Sequence, residues 1–297
     1  MGSPERQRKG ARAWLDLAGG GGHIPAMALL ALPFPVIDPV LIEIGPIAIR
    51  WYALAYIGGF LFGWWLAKRL VATDRLWPGG KAPFAPAVID DAIVWAALCG
   101  ILGGRLAFVF VYNLDYYLAH PAAVLAVWEG GMAFHGGIVG AVVGLLIFAR
   151  RNSLPLLPLI DLAAVVAPIG IALGRLANFI KPELWGRVAD VPWAIIFPGA
   201  GPEPRHPSQI YQALTEGLLL FIVLLLIARS GGLKRPGLVA GCFGIGYGLA
   251  RSFGELFRQP DPQLGFLFAG ATMGQLLSVP LVAVGLWLVL RARRLPA

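Results

Sequence analysis

Long apolar runs punctuate the sequence near residues 47–67, 88–111, 131–149, 157–180, 211–228, 237–257 and 270–290. Each is close to the length of about 20 residues that a helix needs to cross a bilayer. Short polar segments rich in Pro and Gly separate them. The longest non-helical stretch, between the fourth and fifth runs, carries Pro182, Pro192, Pro198, Pro202, Pro204 and Pro207. The pattern predicts an all-α, polytopic integral membrane protein of about seven transmembrane helices with an extracytoplasmic arm formed by that stretch. We find no internal repeat and no second domain, so residues 27–297 read as a single transmembrane domain. Residues 1–26 carry Arg6, Arg8, Lys9, Arg12 and the glycine run Gly19 to Gly22 ahead of Met27, and read as a non-native or disordered extension.

Composition sharpens this picture. The 297 residues are 58% hydrophobic and only 13% charged, with mean hydropathy +0.74, which excludes an ordinary soluble domain. The formal net charge of +8 needs no nucleic-acid partner, because membrane proteins keep basic loops on the cytoplasmic side. The first loop carries Lys68, Arg69, Arg75 and Lys81, the third Arg150 and Arg151, the fifth Arg229, Lys234 and Arg235, and the tail Arg291, Arg293 and Arg294. The second loop carries Asp115 and Glu129 with no Lys or Arg. Odd-numbered loops and the C-terminus are therefore expected on the cytoplasmic side of the membrane, with the N-terminus outside. Cys99 and Cys242 both lie inside apolar runs, where Cys is a small buried hydrophobe, and no disulfide is inferred.

Ionisable side chains within a bilayer are costly and mark function by default. Arg50, Arg105, His135, Arg175, Asn178, Glu216, Tyr247, Arg251 and Glu255 all fall towards the outer ends of their runs, within about 10 to 15 Å of the outer face at the helical rise. The inner half holds only Asp161 and the Asp90–Asp91 pair, which read as interfacial or helix-start carboxylates. This one-sided layer suggests a chamber open to the outer leaflet. Its guanidinium excess suits an anionic phospholipid headgroup, since arginine grips phosphate through a bidentate fork and keeps its charge when desolvated. The bland alternative is arginines that snorkel to the interface, and Arg50 fits that equally well. An anion or lipid transporter is the competing function, although it calls for polar lining from side to side and paired interrupted helices.

Several runs are more specific. They are Gly174-Arg175-Leu176-Ala177-Asn178-Phe179-Ile180-Lys181-Pro182-Glu183-Leu184-Trp185-Gly186-Arg187, Ile49-Arg50-Trp51-Tyr52, Gly103-Gly104-Arg105, Gly131 through His135 to Gly137, Arg205-His206-Pro207-Ser208-Gln209-Ile210-Tyr211, and Arg251 through Arg258 to Asp261. Together, over about residues 33–290, they resemble the signature of the prolipoprotein diacylglyceryl transferase family. Ala177, Lys181 and Gln212 depart from its usual Gly, Asn and Glu. The resemblance implies transfer of the diacylglyceryl group of phosphatidylglycerol to a cysteine thiol in the signal peptide of a prolipoprotein, with release of glycerol phosphate and no metal or cofactor.

The residues fit such chemistry on their own account. Arg175 and Arg251 could neutralise charge building on a departing phosphate. His135, bracketed by glycines, is the candidate base for the thiol; Glu183 or Glu255 could serve instead, or the thiol could ionise in the field of the arginines. Tyr52, Arg105, Asn178, Glu183, Gly186, Tyr247, Glu255 and Arg258 are candidates for binding or orienting substrate. Ser208 reads as the N-cap of the fifth helix beside His206, Gly140 and Gly144 as close helix packing, and Trp64, Trp65, Trp95 and Trp287 as belt or lipid-facing aromatics.

Overall fold

Helices account for nearly all regular structure in the computed structural model, which describes residues 32–35, 37–44, 47–126, 131–260 and 265–294; within these, the side chains at 44, 47–49, 134, 135 and 269 are not described. The extension read at 1–26 therefore lies outside the described residues. In chain order come β1 (Leu32–Pro33), β2 (Val40–Ile44), β3 (Ile47–Arg50), α1 (Trp51–Val71), α2 (Val88–Ala107), α3 (Leu114–Ala119), α4 (Phe134–Arg151), α5 (Leu156–Ile180), β4 (Ile195–Ile196), α6 (Ser208–Arg229), α7 (Leu238–Gly254) and α8 (Met273–Arg293). Among the described residues, four helices are long and apolar enough to cross a membrane: Val88–Tyr112, in which α2 runs on as a π-helix, and α5, α6 and α8.

Two differences from the sequence reading have physical causes. The first predicted helix begins too early, because β-branched Ile42, Ile44, Ile47 and Ile49 favour extended backbone and β2 pairs antiparallel with β3. Arg50 thus ends a strand and is exposed, apart from the buried polar layer read for it. The last helix starts at Met273 rather than near 270, because Thr272 and Gln275 form a reciprocal cap. The Thr272 amide donates to Gln275 Oε1 at 3.0 Å, and the Gln275 amide donates to Thr272 Oγ1 at 3.3 Å. With β1 pairing parallel to β4, the fold departs from an all-α reading by two short strand pairs. The predicted second loop also contains α3.

The chain divides into two compact units. The first holds the described residues up to Gly59, Pro168–Leu220 and Ile245–Ala283. Here β1 and β4 anchor the stretch between α5 and α6, and Phe34, Phe179, Phe197 and Trp185 cluster at ring-centroid separations of 5.3 to 6.5 Å. The turn at Leu184 takes a left-handed φ of 57°. It is clamped on both sides, since Gln209 Nε2 donates to the Glu183 carbonyl at 2.7 Å and Ser208 Oγ to the Leu184 carbonyl at 3.0 Å. Ser208 is consequently not the N-cap. Pro207 occupies that position with no capping side chain, and the hydroxyl is spent across the turn.

The second unit holds Phe60–Ala167, Phe221–Gly244 and Val284–Ala297. Its tightest contact is between α2 and α4. A Cβ at Gly103 would lie 2.5 Å from the Gly136 carbonyl oxygen and 2.8 Å from the Gly140 Cα, so only small residues allow the two backbones to meet. Buried Asp161 on α5 accepts the amides of Gly237 at 2.7 Å and Ala240 at 2.8 Å. It is a helix-start carboxylate, as its type suggests, but it serves the start of α7 rather than its own helix. Lys68 Nζ pairs with Asp90 Oδ1 at 2.9 Å, and Trp64 Nε1 donates to the same oxygen at 2.5 Å.

Candidate active site

The first unit links ionisable side chains into one ladder of contacts. Arg175 near the end of α5 places Nη2 3.1 Å from Glu216 Oε2, and Arg251 on α7 places Nη1 3.5 Å from Glu216 Oε1. Arg251 Nη2 also pairs with Glu255 Oε1, which Arg258 Nη1 meets at 3.1 Å. The spacing of 251, 255 and 258 puts these three on one face of α7 and the turn that continues it. Glu216 and Glu255 are 0% and 1% exposed, and Arg251 and Arg258 7% each. Buried carboxylates persist only when paired, and each of these two meets two guanidiniums. Three arginines against two glutamates leave one surplus positive charge.

Backbone geometry presents this ladder. Glu216 sits within a π-helical segment of α6, Ala213–Leu219, a local rewinding that re-aims side chains and recurs at functional sites. Gly274, in the first turn of α8, lies directly against the ladder: a Cβ there would lie 2.9 Å from Glu255 Oε1 and 3.1 Å from Arg251 Nε, and those side chains would have to shift. The helix N-terminus therefore approaches the Glu255 carboxylate, where its dipole is favourable, and the Thr272 side chain is hydrogen-bonded to Glu255 as well. Behind the ladder, Arg187 donates from Nε to the Arg258 carbonyl at 3.1 Å and from Nη2 to the Glu255 carbonyl at 3.0 Å.

The other predicted residues fall around this core or outside its unit. Tyr247 is 1% exposed, and its hydroxyl is a hydrogen-bond partner of the Arg175 side chain. Asn178 Nδ2 donates to Glu183 Oε1 at 2.8 Å, while Lys181 Nζ pairs with Glu183 Oε2 at 2.7 Å. The unusual lysine is thus answered by its neighbour. Tyr52 packs at a tilt against Tyr56, 5.2 Å between centroids, and Tyr56 feels the charges of Arg175 and Glu183. Gly186 is held tightly in the backbone: its amide donates to the His206 carbonyl at 3.0 Å, and a Cβ would lie 2.8 Å from the Phe257 carbonyl oxygen. His206 packs edge-on against Phe257 and lies 3.2 Å from the Tyr211 hydroxyl through Nδ1; partial burial holds its pKa below the usual imidazole value despite the opposing pull of Asp190.

Arg105 and His135 belong to the second unit. Arg105 donates to the carbonyls of Val124, Gly131, Ala123 and Ala126 at 2.6 to 3.1 Å and lies 5.2 Å over the Tyr117 ring. The His135 side chain lies outside the described residues.

Several contributors were named in the sequence reading without being grouped as site residues. Gln209, Gln212 and Glu216 recur at intervals of three and four in an otherwise apolar helix, a polar stripe that could have flagged all three. Among the described residues, both amide atoms of fully buried Gln212 lack a hydrogen-bond partner. Tyr56, one helical turn from Tyr52, follows the same logic.

A family model described as prolipoprotein diacylglyceryl transferase matches residues 39–291. A protein of Methylocella silvestris named phosphatidylglycerol–prolipoprotein diacylglyceryl transferase is 60% identical over 263 residues, covering 89% of this chain and 96% of that protein. Proteins of the same name from Beijerinckia indica and Nitrobacter hamburgensis are 58% and 55% identical, covering 89% and 88% of this chain and 96% and 90% of theirs. The match runs from the strands before α1 into the last turns of α8 and takes in every motif named above, and on that breadth the chain belongs to the prolipoprotein diacylglyceryl transferase family.

Proposed function

We propose that this chain transfers the diacylglyceryl group of phosphatidylglycerol to the thiol of a cysteine in a prolipoprotein signal peptide. The sulfur attacks the glycerol carbon that bears the phosphate. A carbon–sulfur bond forms, the carbon–oxygen bond to phosphate breaks, and glycerol phosphate leaves with the electron pair. The ladder from Arg175 to Arg258 carries this reading, because its surplus positive charge is buried and pre-positioned for an anion. Arg175 and Arg251 stabilise the departing phosphate, with Glu216 and Glu255 fixing their forks. Gln212 offers its amide to the headgroup glycerol, and Tyr52, Tyr247, Asn178, Glu183 and Arg258 orient the same end of the lipid. His135 takes the thiol proton. Arg105, with its donors given to carbonyls, holds Ala123, Val124, Ala126 and Gly131 in place. Neither family membership nor the ladder favours a transporter.

The protein crosses a bacterial inner membrane seven times as one domain, with the N-terminus outside, the C-terminus and odd-numbered loops cytoplasmic, and the stretch between α5 and α6 as an extracytoplasmic arm. The loop charges support this topology. The deciding assay incubates purified protein with phosphatidylglycerol and a signal peptide carrying the acceptor cysteine. Glycerol phosphate should appear in step with lipidated peptide. Absence of both from well-folded protein overturns the proposal.

A further inference from the structure

A second concentration of cations lies in the second unit and shares no residue with the ladder. Two adjoining cavities of about 410 Å³ and 300 Å³ share Arg75, Leu76 and Arg229 in their walls. The larger adds Trp65 and Arg69, and the smaller adds Lys234. Two short 3-10 turns, Asp74–Leu76 and Gly232–Lys234, pack together beneath them, with Leu76 and Leu233 buried. Four cations thus converge on one concavity from the ends of α1 and α6 and the loops that follow them, far apart in sequence. Among the described residues none of the four has a carboxylate within 4.0 Å, and neither cavity wall contains one. The nearest acid in sequence, Asp74, accepts the Ala82 amide at 3.2 Å.

Charge bias alone requires basic loops but not a shared hollow. The wall is also half apolar: Arg69 lies 5.3 Å over the Trp65 ring, and Trp65 is an exposed residue of α1. A phosphate group ringed by guanidiniums beside an aromatic belt residue is the chemistry of a lipid headgroup whose acyl chains run along the helix. We propose that this hollow binds the phosphodiester headgroup of an anionic phospholipid, separately from the substrate lipid, on the side of the membrane where the first and fifth loops lie.

The test uses the full chain in neutral detergent with photoreactive phosphatidylserine, photoreactive phosphatidylcholine, and free glycerol 3-phosphate as competitor. Peptide mapping should find the serine lipid cross-linked to residues 65–76 or 229–234, little labelling there by the choline lipid, and no displacement by glycerol 3-phosphate at matched ionic strength. The double variant R75Q/R229Q should weaken that labelling roughly thirtyfold at low salt, while diacylglyceryl transfer from phosphatidylglycerol persists. Equal labelling by both lipids, or unchanged labelling in the double variant, overturns the proposal. Displacement by glycerol 3-phosphate also overturns it, by making the hollow a site for free phosphate. The wild-type map decides the question even if the variant folds poorly.

Discussion

Replacing Glu216 with Gln removes the charge that holds two guanidiniums in the first unit while keeping the side-chain volume. At the observed separations of 3.1 and 3.5 Å, each ion pair carries about 5 kcal/mol of attraction at an effective dielectric of about 20. Desolvation of the partners offsets much of this, and breaking a buried pair typically costs about 3 to 5 kcal/mol. The amide also turns an NH₂ group towards a guanidinium that has only donors, and three arginines then face a single carboxylate. For a chain of this size we expect the apparent Tm in detergent to fall by about 6 °C or more. Turnover should drop at least about tenfold, as the forks of Arg175 and Arg251 lose alignment. Adding Arg175→Gln completes a double-mutant cycle, whose coupling should exceed about 1 kcal/mol for residues in direct contact. A Glu216→Gln protein as stable as wild type, with effects that simply add, refutes the reading of the ladder as one electrostatic unit.

Other expectations follow from the same geometry. Arg175→Lys should fold yet lose most of its activity, because a point charge cannot reproduce a planar fork; near wild-type kinetics would remove Arg175 from phosphate contact. Gly274→Ala places a methyl within 3.1 Å of both Glu255 and Arg251 and should lower kcat about tenfold with little change in thermal stability, which steady-state kinetics beside a melting curve can check. His206 has its pKa held below the ordinary imidazole value by burial, so the folded state prefers the neutral ring. Its contribution to stability is fully present above a pH of about 6.5 and declines as pH falls towards the lowered folded value. His206→Phe should flatten that part of the stability profile, and an unchanged slope would assign the titration elsewhere.

The positions of the long helices are legible in the sequence because a bilayer accepts so few backbone solutions. Where chain leaves that constraint, legibility fades. The strands around Ile42 and Ile49 continue an apolar run, and hydropathy cannot separate an extended isoleucine from a helical one. Depth along a helix likewise identified a polar layer but not its pairings. Arg175 and Arg251 share a carboxylate, whereas Arg105, equally deep by count, spends its donors on backbone carbonyls. Two of those carbonyls, Ala123 and Val124, belong to a single short 3-10 turn, Pro121–Leu125, too brief for any periodicity to reveal. Glu216 was visible as a buried acid, but its role depends on a π-helical turn that brings α6 into register with both arginines.

The contact of Asp161 with the Gly237 and Ala240 amides bears on how the chain is assembled as it leaves the ribosome. The opening turn of a helix arrives with free N–H groups, and in hydrocarbon each is penalised by several kcal/mol. Because α5 is synthesised before α7, its carboxylate is already waiting when those groups enter the lipid. Synthesis in this order lets α7 be received by a helix that preceded it, and moving the acid to a later helix should slow maturation even where the finished protein is equally sound.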